Sequence, residues 1–366
     1  MKAAAIMPKK IGSLHFVEVP VPRISPEEVL VRIIRVGLDG TDKEIGMGYY
    51  GTAPKGCDYL IVGHESFGRV EKMGDGTSGC GLKVGDYVVA TVRRPDKCIN
   101  CAAGESDMCL TGNYTERGIK GAHGYMTEYY KEVPANLVKI PSSIAEPAVM
   151  LEPMSIAEKA VTQPFEIQSR MVWAPKTAVV LGTGTVGLFA AMLLRLRGLD
   201  VVSVDRTESN PIKEDIFKSM GIRHINSSKV AIGDIPKSIG KNVDIVVELT
   251  GSPAVVYDAM NLSGPNGLVS LVSVTGGSYV ANVDMAKLNY NLVLGNRVVV
   301  GVVNSNIKYF RKGVADMVSI EKAHPGLLKG MITRRVPFEE FDNYGILEDR
   351  EQIKVVIEFE KILKKG

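Results

Sequence analysis

Thr177-Ala178-Val179-Val180-Leu181-Gly182-Thr183-Gly184-Thr185-Val186-Gly187 is the stretch that decides how this chain folds. Its first half is a charge-free, β-branched run of the kind that forms a strand buried on both faces. The glycines follow at once. Behind them Val186, Phe189, Ala190, Leu193 and Leu194 recur at helical spacing until Gly198 closes the run. A G-x-G-x-x-G pattern alone is common. Set between a strand and a helix, it lets backbone approach a pyrophosphate lodged on the positive helix N-terminus. A second apolar run, 200–204, ends in Asp205, eighteen positions after Gly187, where an acidic group accepts hydrogen bonds from a ribose and favours NAD. Arg206 beside it can pair with a 2′-phosphate and favours NADP. Both residues are present, so both cofactors stay open. Runs at 243–250, 268–274 and 298–303 supply the further strands of a doubly wound parallel sheet.

Upstream the pattern changes. Apolar runs at 2–6, 14–19, 28–36 and 87–92 are short and separated by Gly-Asp turns, which predicts a small antiparallel barrel. Gly37-Leu38-Asp39-Gly40-Thr41-Asp42 reads as a turn at a strand end, bearing two carboxylates and a hydroxyl. In Val62-Gly63-His64-Glu65 a histidine and a glutamate stand side by side. Neighbours on a strand point to opposite faces, so both reach one ion only where the chain bends, and Gly63 and Gly68 permit a bend. Glu152 precedes Pro153, which places it at a helix entrance with its carboxylate free to turn. Cys98, Cys101 and Cys109 crowd into one lobe with Asp96 before them. That set reads either as a zinc knuckle or as a lobe whose metal has been lost. The stretch 112–124, with Glu116, Arg117 and His123 among glycines, reads as a binding loop with little core. His15 is expected to be structural.

Composition excludes other classes. The 366 residues suffice for two domains, and 45% hydrophobic with 23% charged residues is ordinary globular composition. A net charge of +3 without a basic block argues against nucleic acid and anionic membranes. No apolar run approaches a membrane span. Lys2 leads only a few apolar residues before Pro8, Lys9 and Lys10, too short for a signal peptide. The expectation is a cytoplasmic protein.

A barrel with a candidate metal site, then a dinucleotide domain, then a return is an order that resembles the zinc-dependent medium-chain dehydrogenase/reductases. These join a GroES-like β-barrel catalytic domain to a Rossmann domain. Within them the likeness is strongest to the archaeal glucose 1-dehydrogenase branch. Tyr114-Thr-Glu-Arg-Gly-Ile-Lys-Gly-Ala-His-Gly-Tyr-Met126, Leu151-Glu-Pro-Met-Ser-Ile-Ala-Glu-Lys159 and Gly301-Val-Val-Asn-Ser305 carry it. The resemblance implies a catalytic domain over 1–155, a Rossmann domain over 156–304, and a return of 305–366 to the first.

It also implies a catalytic zinc held by Asp39, His64 and Glu65, with Glu152 in reach of either metal or substrate. Most of the family has cysteine where Asp39 stands, and halophilic members resemble this chain in having aspartate there. The result is a hard, carboxylate-rich shell. Asp96 stands roughly where the family's first lobe cysteine does, so Asp96, Cys98, Cys101 and Cys109 are the implied structural set. Thr41 resembles the family's proton-relay hydroxyl. Thr41, Glu116, Glu152 and Asn304 would hold sugar hydroxyls, while Val92 replaces a substrate-contacting asparagine. Implied cofactor contacts are Gly182, Thr183, Gly184, Thr185, Val186, Gly187, Asp205, Arg206, Thr207, Thr250, Val274, Val302 and Asn304.

The implied activity is NAD(P)-dependent oxidation of D-glucose, and of aldoses such as galactose, at C1 to the lactone. The implied assembly is a homo-tetramer or homo-dimer. Two other readings stay open: another zinc polyol or alcohol dehydrogenase, and a non-catalytic dinucleotide sensor.

Overall fold

The structure, a computed structural model, describes residues 1–206, 209–275, 278–349 and 351–360. The chain separates into two compact units, Met1–Ser155 with Asn304–Gly366, and Ile156–Val303.

The first unit is built on a seven-stranded sheet. Its order is Leu137–Ile140, Tyr87–Ala90, Glu65–Met73, Val29–Leu38, Lys354–Glu358 and Ile332–Pro337, and Tyr129–Glu132 also pairs with Val29–Leu38. All pairings are antiparallel except that between Ile332–Pro337 and Lys354–Glu358, the two strands contributed by the C-terminal return. A three-stranded sheet of His15–Glu18, Lys2–Ile6 and Leu60–Ile61 lies in the same unit. One core joins the two, with Ala3, Ile6, Val31, Val36, Leu60, Val88, Tyr125, Val355 and Ile357 all buried. Ion pairs tie in the return: Arg335 and Arg35 both reach Glu358, and both also reach Glu146.

Several sequence expectations change here. The stretch 112–124 is structured: Thr115–Arg117 pairs with Arg93–Arg94 and with Gly121–Ala122 in a small sheet. Its polar composition concealed the pairing because Arg117 is held by Glu132 and lies over the Tyr125 ring. His123 stacks on Tyr59 and accepts from the Ile61 N–H at 3.2 Å, so it packs as a structural group. Beyond it the chain returns to the large sheet as the strand Tyr129–Glu132. His15, in agreement with a structural role, is hydrogen-bonded to the Ser13 carbonyl at 2.7 Å.

The second unit is a six-stranded parallel sheet in the order Arg223–Asn226, Asp200–Asp205, Thr177–Leu181, Ile245–Glu248, Leu268–Leu271, Val298–Gly301. Numbered by sequence this is 3-2-1-4-5-6, the dinucleotide-binding order. Its ligand crevice lies where the order reverses, between Thr177–Leu181 and Ile245–Glu248. The central strand Thr177–Leu181 is buried throughout, as its apolar run requires.

Candidate active site

The strand Val29–Leu38 delivers Asp39 directly onto the helix Gly40–Gly46, so the stretch expected to be a turn is a helix start. Asp39 caps it, accepting from the Thr41 N–H at 2.8 Å and the Asp42 N–H at 3.3 Å. The Asp42 carboxylate accepts in return from the Asp39 N–H at 3.1 Å. The Thr41 hydroxyl donates to the other Asp39 oxygen at 3.3 Å. This double cap holds Asp39 through bonds within its own helix turn.

His64 follows Gly63, whose φ of +80° makes the bend that the sequence suggested. The imidazole is buried between two acids: Nε2 is 3.6 Å from Asp39 Oδ1, and Nδ1 is 3.5 Å from Asp42 Oδ1. Burial disfavours the charged ring, but Asp42 and Asp39 outweigh it and raise the His64 pKa well above its ordinary value.

Glu65 pairs in register with Gly37, and a side chain at Gly37 would place its Cβ 1.9 Å from Glu65 Oε2. The missing side chain is what makes room for a buried carboxylate. Lys354, at the start of the strand Lys354–Glu358, fills the same space. Its Nζ lies 2.5 Å from each Glu65 oxygen and donates to the Leu38 carbonyl at 3.1 Å. Glu65 is therefore not the free ligand the resemblance implied; a buried cation engages it. Glu152 stands in the first turn of the helix Leu151–Gln168 and is buried. Burial pushes the carboxyl of Glu65 up to about 7 and that of Glu152 up to about 8.

The four implied ligands do not form one cluster. Asp39, Asp42 and His64 bring one atom each within 4.8 Å of one another, and so do His64, Glu65 and Glu152; His64 belongs to both sets. Two donors on one zinc at 2.0–2.2 Å stand about 3.4 Å apart in a tetrahedral shell. The 3.6 Å between His64 Nε2 and Asp39 Oδ1 fits that separation. Asp42 then sits behind the ring, where a carboxylate orients a metal-binding imidazole. Asp42 Oδ1 and His64 Nδ1 are buried without a hydrogen bond. Two buried carboxyls with raised pKa values, Glu65 and Glu152, stand with His64 in one cluster, a set that suits a divalent cation, and the residues fit zinc.

Glu116 and Asn304 are brought together, Asn304 Nδ2 donating to Glu116 Oε1 at 2.5 Å. Asn304 holds a φ of +55°, a left-handed conformation that asparagine tolerates better than most residues. Arg93 donates to the same Glu116 oxygen at 3.0 and 3.1 Å, and to the carbonyls of Ser106 and Asp107 at 3.3 Å. One Glu116 oxygen is thus fully engaged by the protein, which leaves Oε2 as its remaining acceptor. Val92 is buried and its carbonyl accepts from the Arg117 N–H.

In the cysteine lobe Asp96, Cys98, Cys101 and Cys109 bring ligand atoms within 4.8 Å of one another, and no disulfide joins them. The Cys98 and Cys109 sulfurs are 4.0 Å apart, close to the roughly 3.8 Å that two thiolates take on a tetrahedral zinc. Thr111 donates to the Asp96 carboxylate, which also accepts from the Cys98 N–H at 2.8 Å.

In the second unit the glycines divide the labour. A Cβ on Gly187 would meet the Gly182 carbonyl at 2.1 Å, so this glycine serves close packing of helix on strand. A Cβ on Gly184 would meet no protein atom within 4 Å, and Gly184 heads the helix Thr185–Leu196 without a side-chain cap. That open, uncapped helix start is the cradle a pyrophosphate fills. Gly184→Val is therefore expected to leave the melting temperature unchanged while weakening NAD(P) binding at least about tenfold. Gly187→Ala is expected to lower stability by about 1–3 kcal/mol. Thermal melts beside cofactor titrations check both, and equal effects at the two positions would defeat the assignment.

Asp205 ends the second strand, half-buried. Its Oδ1 accepts from the Arg206 N–H at 2.7 Å, and its Oδ2 takes the Thr183 hydroxyl and lies 3.5 Å from Lys213 Nζ. Burial raises its pKa, but the Thr183 hydroxyl and the Lys213 ammonium overcome that and hold it below the ordinary range. Arg206 is exposed, and Thr207 lies outside the described residues. The Thr250 hydroxyl donates to buried Glu248 at 2.6 Å. Val274 is exposed. Val302 is buried, its N–H given to the Leu271 carbonyl, and it presents little surface.

Comparison with known proteins places these features in a family. Residues 25–142 match the family model of the alcohol dehydrogenase GroES-like domain, and residues 145–359 match that of the glucose dehydrogenase C-terminus. A glucose 1-dehydrogenase of Methanocella arvoryzae is 43% identical, over 98% of this chain and 99% of its own. One of Thermoproteus tenax is 35% identical over 98% and 99%. The glucose dehydrogenase of Haloferax mediterranei, solved in complex with NADP, Zn and gluconolactone, superimposes with a TM-score of 0.87 at 33% identity. That match covers 99% of this chain and 100% of the other.

Proposed function

The chain belongs to the glucose dehydrogenase family of zinc-dependent medium-chain dehydrogenases, and from that premise we propose that it oxidises D-glucose at C1 to the lactone. Related aldoses such as galactose are alternative substrates, and NAD or NADP accepts the hydride. The observation that carries the reading is the placement of buried His64 beside Asp39 at a zinc-ligand separation.

Asp39, His64 and Glu152 would hold the zinc, with Glu65 beside it on Lys354. Zinc there supplies Lewis acidity that lowers the pKa of the anomeric hydroxyl. Asp42 holds the imidazole in the tautomer that turns the Nε2 lone pair to the site. Thr41, hydrogen-bonded to Asp39, takes the hydroxyl proton and relays it outward. Glu116 Oε2 and the Asn304 side chain bind sugar hydroxyls, which a dry pocket must satisfy because each unpaired one is costly. Gly182 to Gly187 cradle the cofactor pyrophosphate, and Asp205 faces its adenosine ribose. The lobe set Asp96, Cys98, Cys101 and Cys109 holds a second, structural zinc.

Among the described residues no helix is long and apolar enough to cross a membrane. The proposed setting is cytoplasmic. A homo-dimer or homo-tetramer is supported by the sheet edge Val298–Gly301 and by exposed Tyr290, Val293 and Leu294 on the helix Met285–Leu294. An open strand edge flanked by apolar side chains suits a second copy of the same edge.

The test is turnover across aldoses, polyols and simple alcohols with each cofactor, on protein of measured metal content. Glucose is expected to rank at or near the top, with two zinc ions per chain falling to one in Cys109→Ser. Turnover of ethanol alone would replace the sugar reading by the alcohol one. Cofactor binding without metal or turnover would favour a sensor.

A further inference from the structure

Glu116 is held by a closed ring of hydrogen bonds that lies within the first unit. Thr115–Arg117 pairs antiparallel with Arg93–Arg94, and the register sets Arg93 directly opposite Glu116, where cross-strand side chains share a face. Arg93 donates from Nε and Nη2 to Glu116 Oε1 at 3.1 and 3.0 Å, and from Nη1 to the carbonyls of Ser106 and Asp107 at 3.3 Å each. Its guanidinium also lies over the Tyr114 ring, 3.6 Å from the centroid. The two carbonyls belong to the short 3₁₀ turn Ser106–Met108, between Cys101 and Cys109 of the lobe. Side chains of the same turn continue the ring: Asp107 Oδ1 accepts from Asn306 Nδ2 at 2.6 Å, and Glu105 Oε2 accepts from the same amide at 2.8 Å. Asn304, two residues earlier in the chain, closes the ring on Glu116 Oε1 at 2.5 Å.

The ring aims a carboxylate. Arg93 and Glu116 have side chains only 5% and 11% exposed, so protein partners rather than water set their geometry. Three donors converge on Glu116 Oε1, and rotating the carboxylate would break all of them. Oε2 is thereby left in one orientation for a ligand. Arg93 commits four of its five N–H groups to the network. A planar fork spans a carboxylate on one edge and two carbonyls on another; an ammonium, with three donors on one point, does not. The cysteine lobe is thus tied to both proposed sugar residues, to Glu116 through Arg93 and to Asn304 through Asn306.

We propose that Arg93 is a positioning residue for the sugar: anchored on the lobe turn at 105–108, it aims Glu116 Oε2 and the Asn304 amide, and so sets sugar affinity without touching the sugar. This rests on the dehydrogenase reading and adds to it the residue that orients the hydroxyl-binding pair. Bonds to non-reacting hydroxyls are equally strong in the ground and transition states, so their loss appears in KM and spares kcat.

The test uses the full-length, zinc-loaded protein. It measures KM and kcat for D-glucose, and the dissociation constant of gluconolactone with oxidised cofactor present. Arg93→Lys keeps the charge and loses the fork. It is expected to raise KM and the lactone dissociation constant about tenfold, the worth of one hydrogen bond to a charged group. Turnover at saturation is expected to stay within about threefold, with cofactor affinity unchanged. Asn306→Asp keeps the cap on the helix Ile307–Ala323 but sets a third carboxylate against Glu105 and Asp107. It is expected to move KM the same way, and it carries the test alone should Arg93→Lys not fold. The decisive comparison is made in Glu116→Gln, where adding Arg93→Lys is expected to change sugar affinity less than about twofold because both act through one group. Additive losses, a fall in kcat with KM unchanged, or no change in either sugar constant overturns the role of Arg93 and leaves the dehydrogenase reading standing. Parallel weakening of sugar and cofactor overturns it too, as the mark of a merely structural arginine. Failure of the unsubstituted protein to turn over any aldose overturns both.

Discussion

Replacing His64 with alanine is expected to abolish turnover, a loss of at least about a thousandfold. A metal acting as Lewis acid is worth several kcal/mol at the transition state, and about 4 kcal/mol corresponds to three powers of ten. His64 is the one residue shared by both acidic clusters, so no other side chain can substitute for it. The expected fingerprint has three parts: no activity, loss of the catalytic zinc with retention of the lobe zinc, and a melt that stays cooperative. Asp42→Asn supplies the graded comparison. It leaves the imidazole in place and removes the carboxylate 3.5 Å behind it, so a loss of about 10–100-fold in activity or zinc affinity is expected. Elemental analysis beside steady-state rates checks both. Full zinc content and activity in His64→Ala would remove the site.

What the sequence made legible depended on how local the cause was. The strand, glycines and helix of 177–196 act within one supersecondary unit, and so the parallel sheet was readable from them. Asp39, His64, Glu65, Glu116, Glu152 and Asn304 were readable because their motifs match a family pattern. The structure puts Asn304 on Glu116, an attachment that spans 188 positions and that neither motif announces.

The partners were not readable. Asp42 looked like turn chemistry, since a capping box and a surface turn use the same residue types; only the helix start aims it at His64. Lys354 opens a strand that ends in mixed polar and apolar residues, and a lysine there reads as solvated. It is buried because Gly37, on a neighbouring strand, leaves out the side chain that would have filled its place. Arg93 shares that fate, being a cation whose burial is matched by Glu116, 23 positions along the chain. The glycine-rich stretch 112–124 was misread for the converse reason. Its strands are two and three residues long, too short for any alternation to show.

Lys354→Met is expected to be the most damaging substitution for stability, by about 3–5 kcal/mol, because it strands a buried carboxylate. Lys354 and Glu65 are both essentially inaccessible, and the lysine also satisfies the Leu38 carbonyl. Glu65→Gln alone strands the ammonium instead and also destabilises. The double variant removes both charges, so it is expected to be more stable than the sum of the single losses predicts, by at least about 1 kcal/mol. Strict additivity in that cycle would mean the pair is not coupled. The metal makes the argument sharper. Glu65 lies in one cluster with His64 and Glu152, so a divalent cation bound there compensates part of the charge that Lys354→Met leaves behind. The penalty is therefore expected to be smaller with zinc bound than after chelation, whereas a lysine acting only through packing would cost the same in both. Chemical denaturation of all four proteins, with and without chelator, measures the difference directly. It also shows whether the C-terminal return serves merely to complete a sheet or to hold the charge balance of the metal site.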